Sequence, residues 1–492
     1  MKIPENMKKK YSQKIKPVFI YSLRIFLRDL IYLFKQPQIQ QKIISISIIL
    51  QAMVQNRLSL LFFLFLFSRV TFTLQPIRLQ LLHASKVKSL AETDVECQNC
   101  KSQDSESSTG RLQKVGVYYG NWNGYGRNFQ ICNVPGDKID YLFYSFLDPS
   151  TGVCQFSDPW LDLQKIGPID GVCGGINQAA SDHLLGNMYQ LKMLKHRFPT
   201  LKVIASIGGW SYSNGFHNYI GSPTTRTALV SSCVKLLNTY SSSFDGFDID
   251  LEYPCLTTDV PCGDNITPTS NDKGNFAALI QEFRNQMGPT PYLSIATSAD
   301  QTKIKALDFP NLDHALNSYH IMTYDFTGGE YGDAYSGHHT QLNPNPEDPD
   351  SYRKTLSAAN AAKTFVANGA SPSKINIGAA FYGKSFKIAI NSSPSPFVKS
   401  LGAPTIGTWD PAVFDYYDII NNYLTNSNGF YDSVSEAAYI LDKSKGLYIT
   451  YDNPKSIMAK TSFVRQMGYQ GVFAWQVSSD SSDFQLTSAM GQ

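Results

Sequence analysis

The feature that most restricts the fold is an alternation that begins near residue 114 and recurs to the carboxyl end. Short runs rich in β-branched, aromatic and small apolar residues lie at 114–120 ("KVGVYYG"), 140–147 ("DYLFYSFL"), 202–210 ("KVIASIGGW") and 244–252 ("FDGFDIDLE"). The series continues at 292–299 ("YLSIATSA"), 319–326 ("YHIMTYDF"), 375–383 ("INIGAAFYG") and 471–478 ("GVFAWQVS"). Between several of them lie stretches with apolar residues at helical spacing, such as "MYQLKMLKHR" (188–197), "NFAALIQEFRNQ" (275–286) and "SIMAKTSFVRQM" (456–467). Strands alternating with helices build a parallel sheet. Eight such units, over a span somewhat above the usual ~250 residues, predict an α/β fold of the (β/α)8 TIM barrel type with insertions. The alternative is a doubly wound open sheet, which would carry a glycine-rich phosphate loop after its first strand. "YYGNWNGYGRN" (118–128) lacks the GxGxxG pattern. The connection after the seventh run is too long for a plain loop and rich in Tyr, Asn, Ser and Pro. A small α+β insertion over 384–447, between strands seven and eight, is expected to stand on the barrel rim as one wall of a cleft.

The barrel is expected to occupy residues 111–487, preceded by a polar linker at 74–110 and a leader at 1–73. Arg57 followed by "LSLLFFLFLFS" (58–68) has the positive flank and short apolar core of a secretory signal peptide, and Met53 would be its natural start. Eleven apolar residues are too few to span a bilayer, which needs ~20. The competing reading joins "IISISIIL" (43–50) to this run as an uncleaved membrane anchor. Eight cysteines all follow the leader, which favours disulfides in a secreted protein; Cys255 and Cys262 flank a short loop and form the natural local bridge. Cys97 and Cys100 make a lone CxxC without a second pair, so no metal site is expected. Asn265 and Asn391 open glycosylation sequons. The chain is 42% hydrophobic and 17% charged, too apolar for a disordered protein. Its net charge of +3 owes much to the first 42 residues, and no basic, aromatic-interleaved patch points to nucleic acid.

"FDGFDIDLEYP" (244–254) is the stretch that carries chemistry. On a strand, Asp248, Asp250 and Glu252 point one way and Phe247, Ile249 and Leu251 the other. Like charges so close resist ionising together, which raises a carboxyl pKa toward the range a general acid needs. In barrels of this type chemistry sits at the carboxyl ends of the strands. Glu252 ends the fourth run, Tyr324 and Asp325 the sixth, and Trp475 the eighth. Asp245 is read as support for the strand's start, Ser206, Gly208 and Gly209 as barrel architecture, and Met322 as a packing residue. His338 and His339, in a polar loop, are expected to face solvent. Asp300 lies near the site by topology without a motif behind it.

The set Asp245, Gly246, Asp248, Asp250, Glu252 resembles the DGxDxDxE signature of chitinases of glycoside hydrolase family 18. Ser206, Gly208 and Gly209 match the family's SxGG, and Met322, Tyr324 and Asp325 its MxYD. "FYGKSF" (381–386) and residues 451–480 resemble its later landmarks, so the similarity covers about 114–483. The resemblance implies a chitinase that cuts β-1,4 linkages between N-acetylglucosamine units. Glu252 would protonate the glycosidic oxygen while the substrate's own acetamide attacks the anomeric carbon, with retention and no cofactor. Asp250 would orient the acetamide N–H, Asp248 would share a proton with it, and Tyr324 would steady the acetamide carbonyl. Asp325 would contact sugar hydroxyls, with Met322 nearby. Trp475 would floor the reacting sugar, and Tyr118, Trp210 and Tyr382 would wall the groove. The implied partner is chitin or its oligosaccharides, bound by a secreted monomer. A lectin on the same barrel would have lost the glutamate that this chain keeps. An endo-N-acetylglucosaminidase would use the same acid but need no rim insertion.

Overall fold

The computed structural model describes residues 113–165, 184–256, 262–263, 266, 268–269, 271–390, 392 and 394–492. The leader, the linker, Asn265, Asn391, Cys97, Cys100 and Cys173 lie outside the described residues. Eight strands run parallel: β1 Lys114–Gly120, β2 Tyr141–Asp148, β4 Lys202–Gly208, β5 Gly246–Asp250, β6 Tyr292–Ser298, β7 Ser318–Met322, β8 Ile375–Ala380 and β14 Gly471–Trp475. Each pairs with the next around a circle, and β14 closes on β1, which also pairs with β2. This is the (β/α)8 barrel. The strands are buried almost end to end, the pattern of parallel strands covered on both faces. A two-residue β3, Gln155–Phe156, adds antiparallel to β2.

Helices cover the barrel where helical periodicity placed them, at Gly186–Arg197, Asp272–Met287 and Pro454–Met467. The last starts cleanly because Asn453 accepts from the Ser456 N–H while Ser456 bonds back, and Pro454 needs no hydrogen-bond partner for its nitrogen. Lys460 of that helix is buried against Asp452, with Nζ 2.6 Å from both Asp452 Oδ2 and Thr340 Oγ1.

Between the seventh and eighth barrel strands the chain builds a second, antiparallel sheet. Its strands are β9 Tyr382–Lys387, β10 Val413–Asp415, β11 Gly429–Asp432, β12 Ala437–Asp442 and β13 Leu447–Tyr451, in the order β10-β9-β13-β12-β11, with a short helical piece at Tyr416–Tyr423. This sheet overturns the expectation for His338 and His339. Both are fully buried. His338 Nε2 lies 3.1 Å from Asp432 Oδ2, and His339 packs against the Tyr382 ring, tilted by 52°, and reaches its carbonyl at 3.2 Å. The loop is polar in sequence because its partners are polar groups of the insertion, and these, not water, cover it. Disulfides join Cys154 to Cys233 and Cys255 to Cys262. Among the described residues no helix is long and apolar enough to cross a membrane.

Candidate active site

The register of the barrel sets the chemistry of its two inner aspartates. Asp248 sits level with Ser206 on β4 and Ser294 on β6. Both hydroxyls donate to it, Ser206 Oγ to Oδ2 at 2.8 Å and Ser294 Oγ to Oδ1 at 2.7 Å. Tyr118 OH donates to Oδ2 at 2.7 Å, and His320 Nδ1 stands 3.3 Å from Oδ1. Burial pushes the Asp248 pKa up, but His320, Ser294 and Tyr118 outweigh it and hold the carboxyl below its ordinary range. Two residues on, the neighbours change. Asp250 is level with Gly208 and Ala296, which have no side-chain donor to offer. Its Oδ1 is buried and lacks a hydrogen-bond partner among the described residues. Burial, then the charges of Glu252 and Asp248, drive its pKa well above the usual carboxylate range. The register thereby separates the pair in acid strength, Asp248 the stronger acid and Asp250 the weaker.

Glycines make room for this packing at two positions. Gly208 and Gly209 both have positive φ, at 106° and 71°. A Cβ on Gly208 would lie 2.3 Å from the Asp250 carbonyl oxygen, and one on Gly209 would meet the Phe146 ring at 2.5 Å. The Gly209 N–H donates to that same Asp250 carbonyl at 2.8 Å.

Glu252 lies two residues beyond β5, its N–H bonded to Ser213 Oγ at 2.8 Å and its peptide bond to Tyr253 cis. Burial raises its pKa, a hydrogen bond with Tyr253 opposes, the Asp325 charge adds and Lys303 subtracts, leaving it at about 7. Glu252 opens into a cavity of about 340 Å³ whose lining includes Met322, Tyr324, Asp325, Asp300 and Lys303. That size suits a small polar ligand. Tyr324 is buried, and burial together with Asp250, Asp325 and Glu252 keeps its phenol protonated. Asp325 adopts a left-handed backbone, φ 61°, tied down by Tyr382 OH at 2.6 Å and Lys384 Nζ at 3.4 Å.

The remaining expected site residues divide by position. Trp475 ends β14 half-buried, packed against Phe146 and Trp122 with ring centres 5.8 and 6.1 Å apart. Trp210 follows β4 and is half exposed. Tyr118, expected in the groove wall, is instead 2% exposed and lies beneath the acids, because its ring points into the barrel and its hydroxyl is taken by Asp248. Tyr382 is also buried, reaching the site through Asp325. Ser206 is more than architecture, since it donates to Asp248. Asp245 accepts the Val203 N–H at 2.9 Å and pairs with Lys195, which anchors the start of β5. His320, Lys303, Lys384 and Trp122 carry no motif of their own, and pattern reading passes over them. Among the described residues, the grouping nearest a metal-ligand set is His217, Cys255 and Asp272. Its sulfur is bonded to Cys262, and Asp272 already takes His217 Nε2 at 2.7 Å and the Cys255 N–H.

Residues 114–480 match the family described as Glycosyl hydrolases family 18. The chain is 28% identical over 414 residues to chitinase A1 of Niallia circulans, an alignment covering 75% of this chain and 56% of that protein. It is 29% identical over 384 residues to chitinase C of Streptomyces lividans, covering 76% and 58%. The chain thus spans little more than half the length of these relatives. In three dimensions it resembles the catalytic domain of psychrophilic chitinase B from Arthrobacter TAD20, with TM-score 0.69 and 29% identity over 78% of this chain and 96% of that one. With three quarters of its length matched, and with the paired aspartates, the glutamate and the tyrosine gathered at one barrel mouth, the chain belongs to glycoside hydrolase family 18.

Proposed function

We propose that this protein is a chitinase that hydrolyses β-1,4 linkages between N-acetylglucosamine units with retention, using the substrate's acetamide as nucleophile. The observation that carries the reading is the buried, unpartnered oxygen of Asp250 beside a glutamate whose pKa is about 7. An unsatisfied buried carboxyl group costs stability unless a ligand completes it. An acetamide N–H is a donor of the right kind, and binding it there turns the acetamide oxygen toward the anomeric carbon. Glu252 gives its proton to the glycosidic oxygen as the C1–O bond breaks, and the bond's electron pair leaves with that oxygen. The acetamide oxygen bonds to C1, and ionised Asp248 behind Asp250 favours the positive charge on the resulting oxazolinium-like ring. Tyr324 donates to the acetamide oxygen. Water then adds to C1 as the bond from C1 to the acetamide oxygen breaks and its electron pair returns to the acetamide, while the Glu252 carboxylate takes a proton from the water, which regenerates the starting state. Asp325 and Met322 would contact the sugars, with Trp475 beneath the reacting ring and Trp210 beyond it.

The disulfides and the leader support an extracellular enzyme whose mature chain begins after the apolar run at 58–68, and we take it to act as a monomer. Sequencing the amino terminus of protein recovered from the medium checks this.

The test of function is Glu252→Gln assayed on N-acetylchitooligosaccharides, with the anomer of the first product followed by NMR. Turnover should fall by ~10²–10⁴, the usual contribution of a positioned acid, and the parent should release the β-anomer. Undiminished turnover by Glu252→Gln, or an inverted product, overturns the reading.

A further inference from the structure

We infer that Lys303 is a positioning residue for the general acid, its ammonium stationed beside Glu252 to offset the negative charge that appears there when the proton leaves. The inference rests on the role proposed above for Glu252. Lys303 belongs to the short helix Gln301–Ile304 that follows β6, and its start is capped by Asp300, whose side chain accepts from the Thr302 N–H at 2.7 Å. That cap directs the lysine into the same cavity that Glu252 opens into. There its Nζ lies 4.1 Å from the centre of the Tyr253 ring, the residue directly after Glu252. A cation held on an aromatic face this close is fixed in place and partly stripped of water.

Among the described residues Lys303 is the cation acting on this acid, since Arg353, which lines the same cavity, is held by Asp348 at 2.6 and 2.7 Å. From β5 and its continuation, Asp250 and Tyr253 act on Glu252; from the end of β7 come Tyr324 and Asp325. Lys384, the other ammonium in reach, is engaged behind Asp325, bonded to Glu330 and to Tyr331 OH. Asp300 shares its charge among Tyr352 OH, Thr302 and Lys303. Lys273 is turned outward onto the Lys305 carbonyl at 3.2 Å. Burial lowers the Lys303 pKa, while Asp300 and Glu252 counteract it. In the bond-breaking step the proton moves from Glu252 to the departing oxygen, and the residual carboxylate forms against the charge of Asp325, which already opposes it. Lys303 lowers the energy of that state without exchanging a proton itself. The same attraction holds the resting acid at a pKa low enough to release its proton near neutrality.

Profiles of kcat/KM against pH for the parent, Lys303→Met, Lys303→Gln and Lys303→Arg test this. Loss of the cation should move the alkaline limb of both neutral variants upward by about half to one pH unit, the effect of a partly screened charge across a half-buried cleft, and lower the plateau several-fold. Lys303→Arg should return the limb to its original position. A general loss of packing would lower the plateau without moving the limb. Limbs in Lys303→Met and Lys303→Gln that coincide with the parent, or move downward, overturn the inference. If Glu252→Gln is inactive and these limbs stay put, the general acid survives and Lys303 alone is ruled out; full turnover by Glu252→Gln removes both.

Discussion

Raising the pH through the proton affinity of Glu252 should switch the proposed hydrolysis off over a narrow range. The acid acts only when protonated, and its pKa is held at about 7 by burial and by Asp325 against Tyr253 and Lys303. A folded-state value above that of a free glutamate means that the competent form is complete below about pH 6 and drains away as pH rises past 7. With a pKa of about 7, about nine-tenths of the acid is protonated at pH 6 and about one-tenth at pH 8. Thus kcat/KM should fall about tenfold between those two values, continuing at about tenfold per unit above them. Initial rates on a soluble fluorogenic N-acetylchitooligosaccharide, measured well below KM from pH 4 to 9, give the profile directly. Circular dichroism across the same range separates loss of protonation from loss of fold. Equal rates at pH 6 and pH 8, or a limb that already falls at pH 4.5 as for an exposed glutamate, would refute the assignment of Glu252 to a buried, negatively surrounded setting.

Two other substitutions probe different parts of the molecule. Asp250→Asn exchanges the carboxyl for an amide of similar shape but removes the group meant to gather charge as the acetamide attacks; kcat should drop about 10²-fold or more in a steady-state assay, with KM changed far less. Lys460→Met strands Asp452 without its buried cation. Such a loss costs about 3–5 kcal/mol. For a roughly 380-residue domain with ~2.1 cal/mol/K per residue, this lowers Tm by about 4–6 °C in calorimetry, and a shift under 1 °C would contradict it.

Much of the barrel could be read from the chain because its strands are buried on both faces, which forces long apolar runs that helices and loops do not imitate. The runs overshoot the ladder at their carboxyl ends. Leu251 and Glu252 lie past β5, and Thr323 to Phe326 lie past β7, because side chains that face the mouth continue the apolar pattern after the backbone has left the sheet. The acids were legible for a related reason: period two places Asp248 and Asp250 inward whatever surrounds them. Their neighbours were not. Lys303 and His320 reach the site from other strands and connections, and no local pattern in the chain announces which residue will stand opposite. Tyr118 lies deeper than its sequence suggests because an aromatic on a barrel strand reads the same whether it faces a sugar or a buried carboxylate. His338 and His339 were misjudged because a cover supplied from about a hundred residues downstream leaves no trace in the loop itself.

The level pairing of β4, β5 and β6 has a wider meaning. Ser206 and Ser294 flank one aspartate, Gly208 and Ala296 the next, so acid strength here is written in the adjoining strands and read out by alignment. A hydroxyl introduced at Ala296 would reach Asp250 and shift where the proton rests, with no catalytic group altered. Selection for acidic or alkaline surroundings can therefore work through silent-looking positions inside the barrel while the catalytic signature stays the same.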